Sequence, residues 1–268
     1  MGGWKSVRLG NRRLADRPMK QVRERRDDQQ AFVLHAYPYR ETSLIVEALT
    51  LEHGRVAMVA RGAKRPRSEL RGVLQAFQPL CLSWAGAGEL KTLTRAEWRG
   101  GLPLVTGAAL LCGFYLNELL LKMLPREDPH PDLFGDYRST LERLTVSSEH
   151  APVLRQFEVR LLAALGYAPP LTHEADTGRP VDPEARYYYA FDRGPRIEAS
   201  EPGRRYPQVR GATLLALAGQ DFSAPDAALE AKRLMRSVLD HYLEQRAIFS
   251  RRVVRDLQAL DDYEDQGQ

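Results

Sequence analysis

AFVLHAYPYRETSLIVEALTLEHGRVAMVARGAKRPRSELRGVLQAFQPLCLSWAGAGELKTLTRAEW, residues 31–98, reads as a succession of short strands. The segments AFVLHAYPY (31–39), ETSLIVEALTL (41–51), RVAMVARGA (55–63), GVLQAFQPLCLSW (72–84) and GELKTLTRAEW (88–98) are apolar or alternate apolar with polar residues, as half-buried strands do. Glu52-His53-Gly54 separates the second from the third, and Gly86-Ala87-Gly88 the fourth from the fifth. Five short antiparallel strands on one small core close into a barrel more readily than they stay open, because closure removes the exposed edges. An OB-like or an SH3-like barrel satisfies this pattern, and the strand count favours OB.

Beyond Gly100-Gly101 the period changes from strand to helix. Residues 105–124 are apolar nearly all round, as in a helix buried among others, and Pro125 stops it. A second helix spans 131–146 from Pro131. The third places Pro152 in its first turn and Leu154, Phe157, Leu161 and Leu165 on one stripe, with Arg155, Glu158 and Arg160 opposite; Gly166 and Pro169 close it. Residues 167–206 are proline-rich and predict turns with one short hairpin through Tyr187, Tyr188 and Tyr189. Helical pattern resumes at 208–219, 225–246 and 249–260. The fold class is therefore α+β, a five-stranded OB-fold barrel followed by a mainly α-helical domain. Its expected parts are a flexible basic extension (1–29), the OB-fold domain (30–100), a helical domain (101–260) and an acidic tail (261–268).

The chain has 268 residues, 43% of them hydrophobic and 28% charged, which excludes a disordered or fibrous protein. Its two cysteines, Cys81 and Cys112, sit in apolar runs and cannot make a four-thiolate zinc site, so a reducing, cytoplasmic setting is expected. No run reaches the roughly 18 to 20 apolar residues of a membrane span, and the N-terminus lacks a secretory core. The net charge of +4 is uneven: residues 1–30 hold nine Lys/Arg against four Asp/Glu, and the rest of the chain sums to −1.

RGAKRPRSELR, residues 61–71, concentrates five basic residues and one acid between the third and fourth strands. Gly62 and Pro66 make it a loop, so its cations project together, as binding to a phosphate backbone requires. Arg61, Lys64, Arg65, Arg67 and Arg71, with Lys91 nearby, are the candidate nucleic-acid contacts. Tyr37, Tyr39, Phe77 and Trp84 offer stacking faces, at least two of them more suited to the core. A second constellation, Arg155 with Lys232, Arg233, Arg236, Arg251, Arg252 and Arg255, lies on predicted helices; if the third and penultimate helices pack together, Arg155, Lys232 and Arg236 rim an apolar groove fit for an acidic, hydrophobic peptide. The sequence has no P-loop, GxSxG, HExxH, deaminase pattern or helix-opening GxGxxG, and its six histidines are scattered. Neither an enzyme, a cofactor nor a metal site is expected.

AFVLHAYPYRETSLIVEALTLEHGRVAMVARGAKRPRS, then GVLQAFQPL, GELKTLTRAEW, FYLNELL, LRQFEVRLLAALGY and TGRPVD, in this order over about residues 30–258, resemble the RecO family of recombination mediators. The resemblance implies an OB domain on a helical domain, with no catalytic turnover of a small molecule. It also implies binding of single- and double-stranded DNA, annealing of complementary strands, contact with the acidic C-terminal tail of the single-stranded-DNA-binding protein, cooperation with RecR in loading RecA, and a cytoplasmic, nucleoid-associated location. The family places the tail-binding pocket among the helices, where Arg155, Lys232, Arg236 and Arg251 are the candidates. Some members carry four zinc-binding cysteines in the region corresponding to 172–195; THEADTGRPVD here has none, so zinc is not carried over. The rival reading of barrel and charge is an RNA-binding OB module.

Overall fold

The computed structural model describes residues 24–167, 170–198, 206–243 and 247–253. Five strands, β1 (Arg25–Tyr39), β2 (Ser43–Thr50), β3 (Gly54–Ala60), β4 (Pro79–Ala85) and β5 (Leu90–Trp98), close into a barrel of order β1-β2-β3-β5-β4. All neighbours are antiparallel except β3 and β5, which run parallel and seal the barrel. This is the OB-fold domain expected from the strand count. Ala31, Val33, Val46, Ala48, Val56, Met58, Leu80 and Leu82 alternate inward to fill it.

The barrel differs from expectation at both ends. Residues 25–29 fall in the expected flexible extension, yet Arg25 pairs with Ala85 and Gln29 with Leu82 in the first half of β1. RRDDQQ has no apolar face to mark it as a strand; backbone pairing with β4 is what orders it. The rest of the expected extension, 1–23, lies outside the described residues, as does the acidic tail. β3 ends at Ala60, and the expected fourth strand starts late: Leu70–Val73 is a one-turn helix, α1, and pairing begins at Pro79.

The helical domain follows as α2 (Gly107–Met123), α3 (Pro131–Val146), α4 (His150–Ala164), α5 (Gly211–Gly219) and α6 (Pro225–Tyr242). Pro131 and Pro225 occupy first turns, where their missing N–H costs nothing. α4 is the central helix, touching α2, α3, α5 and α6. The proline-rich segment is more ordered than expected. Its hairpin, β6 (Arg186–Ala190) with β7 (Gly194–Arg196), gains a third strand, β8 (Gln208–Arg210), which replaces the first turn of the helix expected from 208. The loop before it is tied by backbone bonds Glu174 N–H to Arg179 O (2.8 Å) and Val181 N–H to Thr172 O (2.8 Å), while the Glu174 carboxylate accepts from Thr177 and Tyr187. Among the described residues no cluster of His, Cys, Asp or Glu is arranged to hold a metal ion, and no helix is long and apolar enough to cross a membrane. Residues 249–253 are helical; the remainder of the expected last helix, and 244–246 of the one before, lie outside the described residues.

Barrel and helices share one apolar cluster. Phe32, Leu34, Leu49 and Phe77 leave the barrel wall to pack with Leu116, Leu120, Phe134 and Tyr137. Polar ties stitch the seam: Asn117 donates to Leu34 O (2.8 Å) and accepts from the Tyr137 hydroxyl (2.6 Å), and the buried Glu47 carboxylate receives Arg55 from β3 and Arg126 from the loop after α2. Gly54 is required there: its φ is +63°, and a Cβ would lie 2.1 Å from the Asp128 carbonyl oxygen.

Candidate nucleic-acid interface

Arg61, Lys64, Arg65, Arg67 and Arg71 all lie exposed on the loop and single turn that connect β3 to β4. The Lys64 N–H donates to Thr42 O (2.9 Å), so the loop is pinned to the β1–β2 turn, and further bonds within it, Arg65 N–H to Gly62 O and Ser68 N–H to Arg65 O, keep it compact. None of the five cations makes an ion pair with a carboxylate of the described residues. Pinning therefore gathers unneutralised charge at one end of the barrel. Arg40, in the left-handed region at φ +51°, adds a sixth cation, its guanidinium 5.1 Å from the centre of the Tyr39 ring. A lone arginine in a turn carried no signal in the sequence; only the pinning joins it to the loop.

Lys91 does not belong to this surface, contrary to expectation. Its ammonium is buried and lies 2.8 Å from Glu127 Oε1, in the loop that follows α2. The Glu127 N–H donates to Arg55 O near the start of β3, so Lys91 reaches toward the end of that strand away from the cation loop, roughly 20 Å off at strand rise. Sequence proximity was misleading because β3 and β5 run parallel, which places the start of β5 beside the middle of β3. Lys91 joins the barrel to the helical domain. A cleft of about 220 Å³ beside it is lined by Arg26, His53, Trp84 and Glu127; burial, then the charge of Arg26, lowers the His53 pKa. Of the four candidate stacking rings, Phe77 and Trp84 are core residues, while Tyr37 is exposed and Tyr39 half-buried.

The second constellation is brought together, but differently from expectation. Arg155 was expected to face solvent or a groove; it is buried on α4 and ion-paired with Glu158, three residues on and fully buried. At this buried position on α4 a charge has no water to solvate it, so Arg155 and Glu158 pair with each other. The Tyr115 hydroxyl of α2 donates to Glu158 Oε1 (2.6 Å) and accepts from Arg251 (3.1 Å); Arg251 also pairs with Asp240 (2.8 Å), which lies 3.9 Å from Arg236. Lys232 stands exposed one turn before Arg236 on the same face of α6. A chain of alternating charge thus runs from the buried Arg155 to the surface of α6. Burial raises the Glu158 pKa, although Arg155, Tyr115 and Arg251 oppose it. Arg155 Nε and Glu158 Oε2 find no hydrogen-bond partner among the described residues. The tyrosine that links the two arginines was not identified from sequence, since Tyr115 lies in an apolar run with no polar periodicity.

An OB barrel fused to a helical domain, with an unneutralised cationic loop among the described residues, defines a protein of the OB-fold class built on two domains with a shared core. Comparison with known proteins gives the particular family. Residues 25–102 match the family model described as Recombination protein O N terminal, and residues 105–252 match Recombination protein O C terminal. The chain is 52% identical over 239 residues to a DNA repair protein RecO of Aromatoleum aromaticum, covering 89% of this chain and 99% of the relative. It is 50% identical over 242 residues to that of an Azoarcus species, with the same coverage, and 48% identical over 238 residues to that of Nitrosospira multiformis, covering 89% and 98%. The chain belongs to the RecO family of DNA repair proteins.

Proposed function

We propose that the chain is a recombination mediator that acts without catalytic turnover in the cytoplasm, on the nucleoid. In this reading it binds single- and double-stranded DNA through Arg61, Lys64, Arg65, Arg67 and Arg71, anneals complementary strands, and with RecR helps load RecA onto strands coated by the single-stranded-DNA-binding protein. The observation that carries the reading is the pinned loop of five cations, without carboxylate partners among the described residues, next to a barrel face. Each cation set against a phosphate releases condensed counterions, which favours binding with little dependence on sequence.

The acidic C-terminal tail of the single-stranded-DNA-binding protein is the ligand proposed for the helical domain. Lys232 and Arg236 offer the exposed charge on α6, and Arg251 a partly buried one. Arg155 supports this site from beneath, through Glu158 and Tyr115. Holding the coating protein and the strand on one chain raises their effective concentration for each other, which is what annealing and loading need.

Titrating the protein with single-stranded DNA and with RNA of the same sequence at fixed salt tests the first part. Binding of DNA at least equal to RNA supports the mediator; a strong preference for RNA supports the RNA-binding module instead. Capture on an immobilised tail peptide tests the second part, and no retention of the protein refutes it.

A further inference from the structure

The outward face of the β1–β2–β3 sheet carries rings that the cation loop does not account for. β1 outruns β4: its pairing with β4 ends at Phe32 opposite Pro79, while pairing with β2 continues to Tyr39 opposite Ser43. The second half of β1 and the first half of β2 therefore form an arm that projects past the barrel. A register shift between Val33 and His35 sets His35 opposite Glu47, and from there His35, Tyr37 and Tyr39 alternate onto a single face. Closer to the barrel, Phe32 and Leu34 are covered by the helical domain. Farther out, Tyr37 is 44% exposed among the described residues, and its ring lies 4.3 Å from that of His35, while Tyr39 is half-buried with Arg40 over its ring.

The cross-strand rows connect this strip with the cations. Tyr37 sits opposite Ile45, which sits opposite Val59. In the next outward row Tyr39 sits opposite Ser43, and Arg61 follows Ala60, the partner of Leu44. Two strand spacings, about 10 Å, thus separate the tyrosine strip from Arg61, a span that one nucleotide strand covers with bases on one side and phosphates on the other. Arg40 at the tip and the pinned Lys64 surround the strip with positive charge. An apolar protein partner would not call for that charge, whereas a single strand, with a ring on every base and an anion on every linkage, matches both features.

We infer that Tyr37, supported by His35, is a stacking platform for unpaired bases, with Arg61 and Lys64 holding the phosphates of the same strand. The inference rests on the nucleic-acid reading above and adds a specificity to it: rings that must stack on a free base face favour single strands over duplex, in which those faces are already occupied.

Anisotropy titrations of the full chain at one salt concentration test it with three probes: oligothymidylate, an abasic phosphate chain of equal length, and a duplex. Wild-type protein should bind oligothymidylate more tightly than the abasic chain. Tyr37→Ala should lower affinity for oligothymidylate by about fivefold or more, the scale of one stacked base, and leave the abasic chain and the duplex unchanged. Tyr37→Phe should behave as wild type, since stacking needs the ring and not the hydroxyl. Equal wild-type affinity for oligothymidylate and the abasic chain, a Tyr37→Ala loss common to all three probes, or a Tyr37→Phe loss as large as that of alanine overturns the platform while leaving the cation loop standing. No binding of any probe by wild-type protein overturns the nucleic-acid reading itself. The wild-type comparison requires no variant to fold.

Discussion

Arg155 and Glu158, one turn apart on α4, form a buried ion pair, and the Tyr115 hydroxyl that donates to the Glu158 carboxylate also accepts from Arg251. A residue chosen for its exposed charge is therefore part of the core. Its loss bears first on folding and only through folding on a partner.

Arg155→Ala should leave Glu158 buried without its counter-charge and destabilise the fold by about 3 to 5 kcal/mol. Thermal or urea unfolding measures this, and an unchanged midpoint would return Arg155 to a purely binding role. Replacing the pair together, Arg155→Met with Glu158→Leu, should recover most of the loss, because neither charge is then stranded. The deficit of Arg155→Ala is also expected to depend on pH. Burial raises the Glu158 pKa above its ordinary 4.5 and Arg155 opposes that rise, so without Arg155 the carboxyl is pushed up further and its ionised form, which prevails as pH rises, costs the variant more than the wild type. The deficit should thus be largest near neutrality and narrow in acid.

Alanine at Lys64, Arg65 and Arg67 together should weaken binding to all DNA sequences alike and make the slope of log affinity against log salt shallower by about two for single strands. Lys91→Ala should leave that slope unchanged, since its ammonium is occupied by Glu127. A slope that falls equally in both variants would place Lys91 on the DNA surface after all.

Acid should release the segment 247–253 from α2. Glu118 accepts from the N–H groups of Phe249 (2.7 Å) and Ser250 (2.8 Å) and pairs with Lys122 (2.8 Å). Burial would raise its pKa, but the bonds from Lys122, Ser250 and Phe249 outweigh burial and hold it below 4.5. A lowered carboxylate stabilises the folded state above its unfolded pKa, and this contribution is lost as pH falls through the folded one. Hydrogen exchange at Phe249 and Ser250 should accelerate below about pH 4.5 relative to the core. In Glu118→Gln the acceleration should be present already at neutral pH; continued protection there would refute the anchor.

Gly54→Ala should cost more than about 2 kcal/mol, because a left-handed residue would gain a Cβ and that Cβ would meet backbone. The Asp128 carbonyl it would strike belongs to the same loop as Glu127, so the seam between barrel and helices must open. Circular dichroism melting checks the cost, and a melting point equal to that of the parent would show that the close approach is dispensable.

Much of this architecture was legible in residues 31–98, where alternation marks five strands, and in the proline-punctuated helices, since local periodicity and turn chemistry report which side of an element meets the core. The cation loop was legible for the same reason: five basic residues beside a glycine and a proline need no distant partner to be seen. RRDDQQ was not, because strand pairing through backbone leaves no mark on an entirely polar segment. Tyr115 was missed because a hydroxyl at the edge of a ring does not interrupt an apolar run.

What the sequence determined by itself is therefore local: the strand-rich and helix-rich halves, the turns between them, and a concentration of positive charge in 61–71. Tertiary structure alone decided which charges remain available. The parallel pairing of β3 with β5 carried Lys91 to Glu127, and the enclosure of α4 turned Arg155 toward Glu158, while pinning of Lys64 to Thr42 left the loop cations exposed. The physical reason is that the environment of a charge depends on neighbours distant in sequence. Burial without a counter-charge costs too much, so packing dictates pairing, and pairing decides which side chains remain free for a ligand.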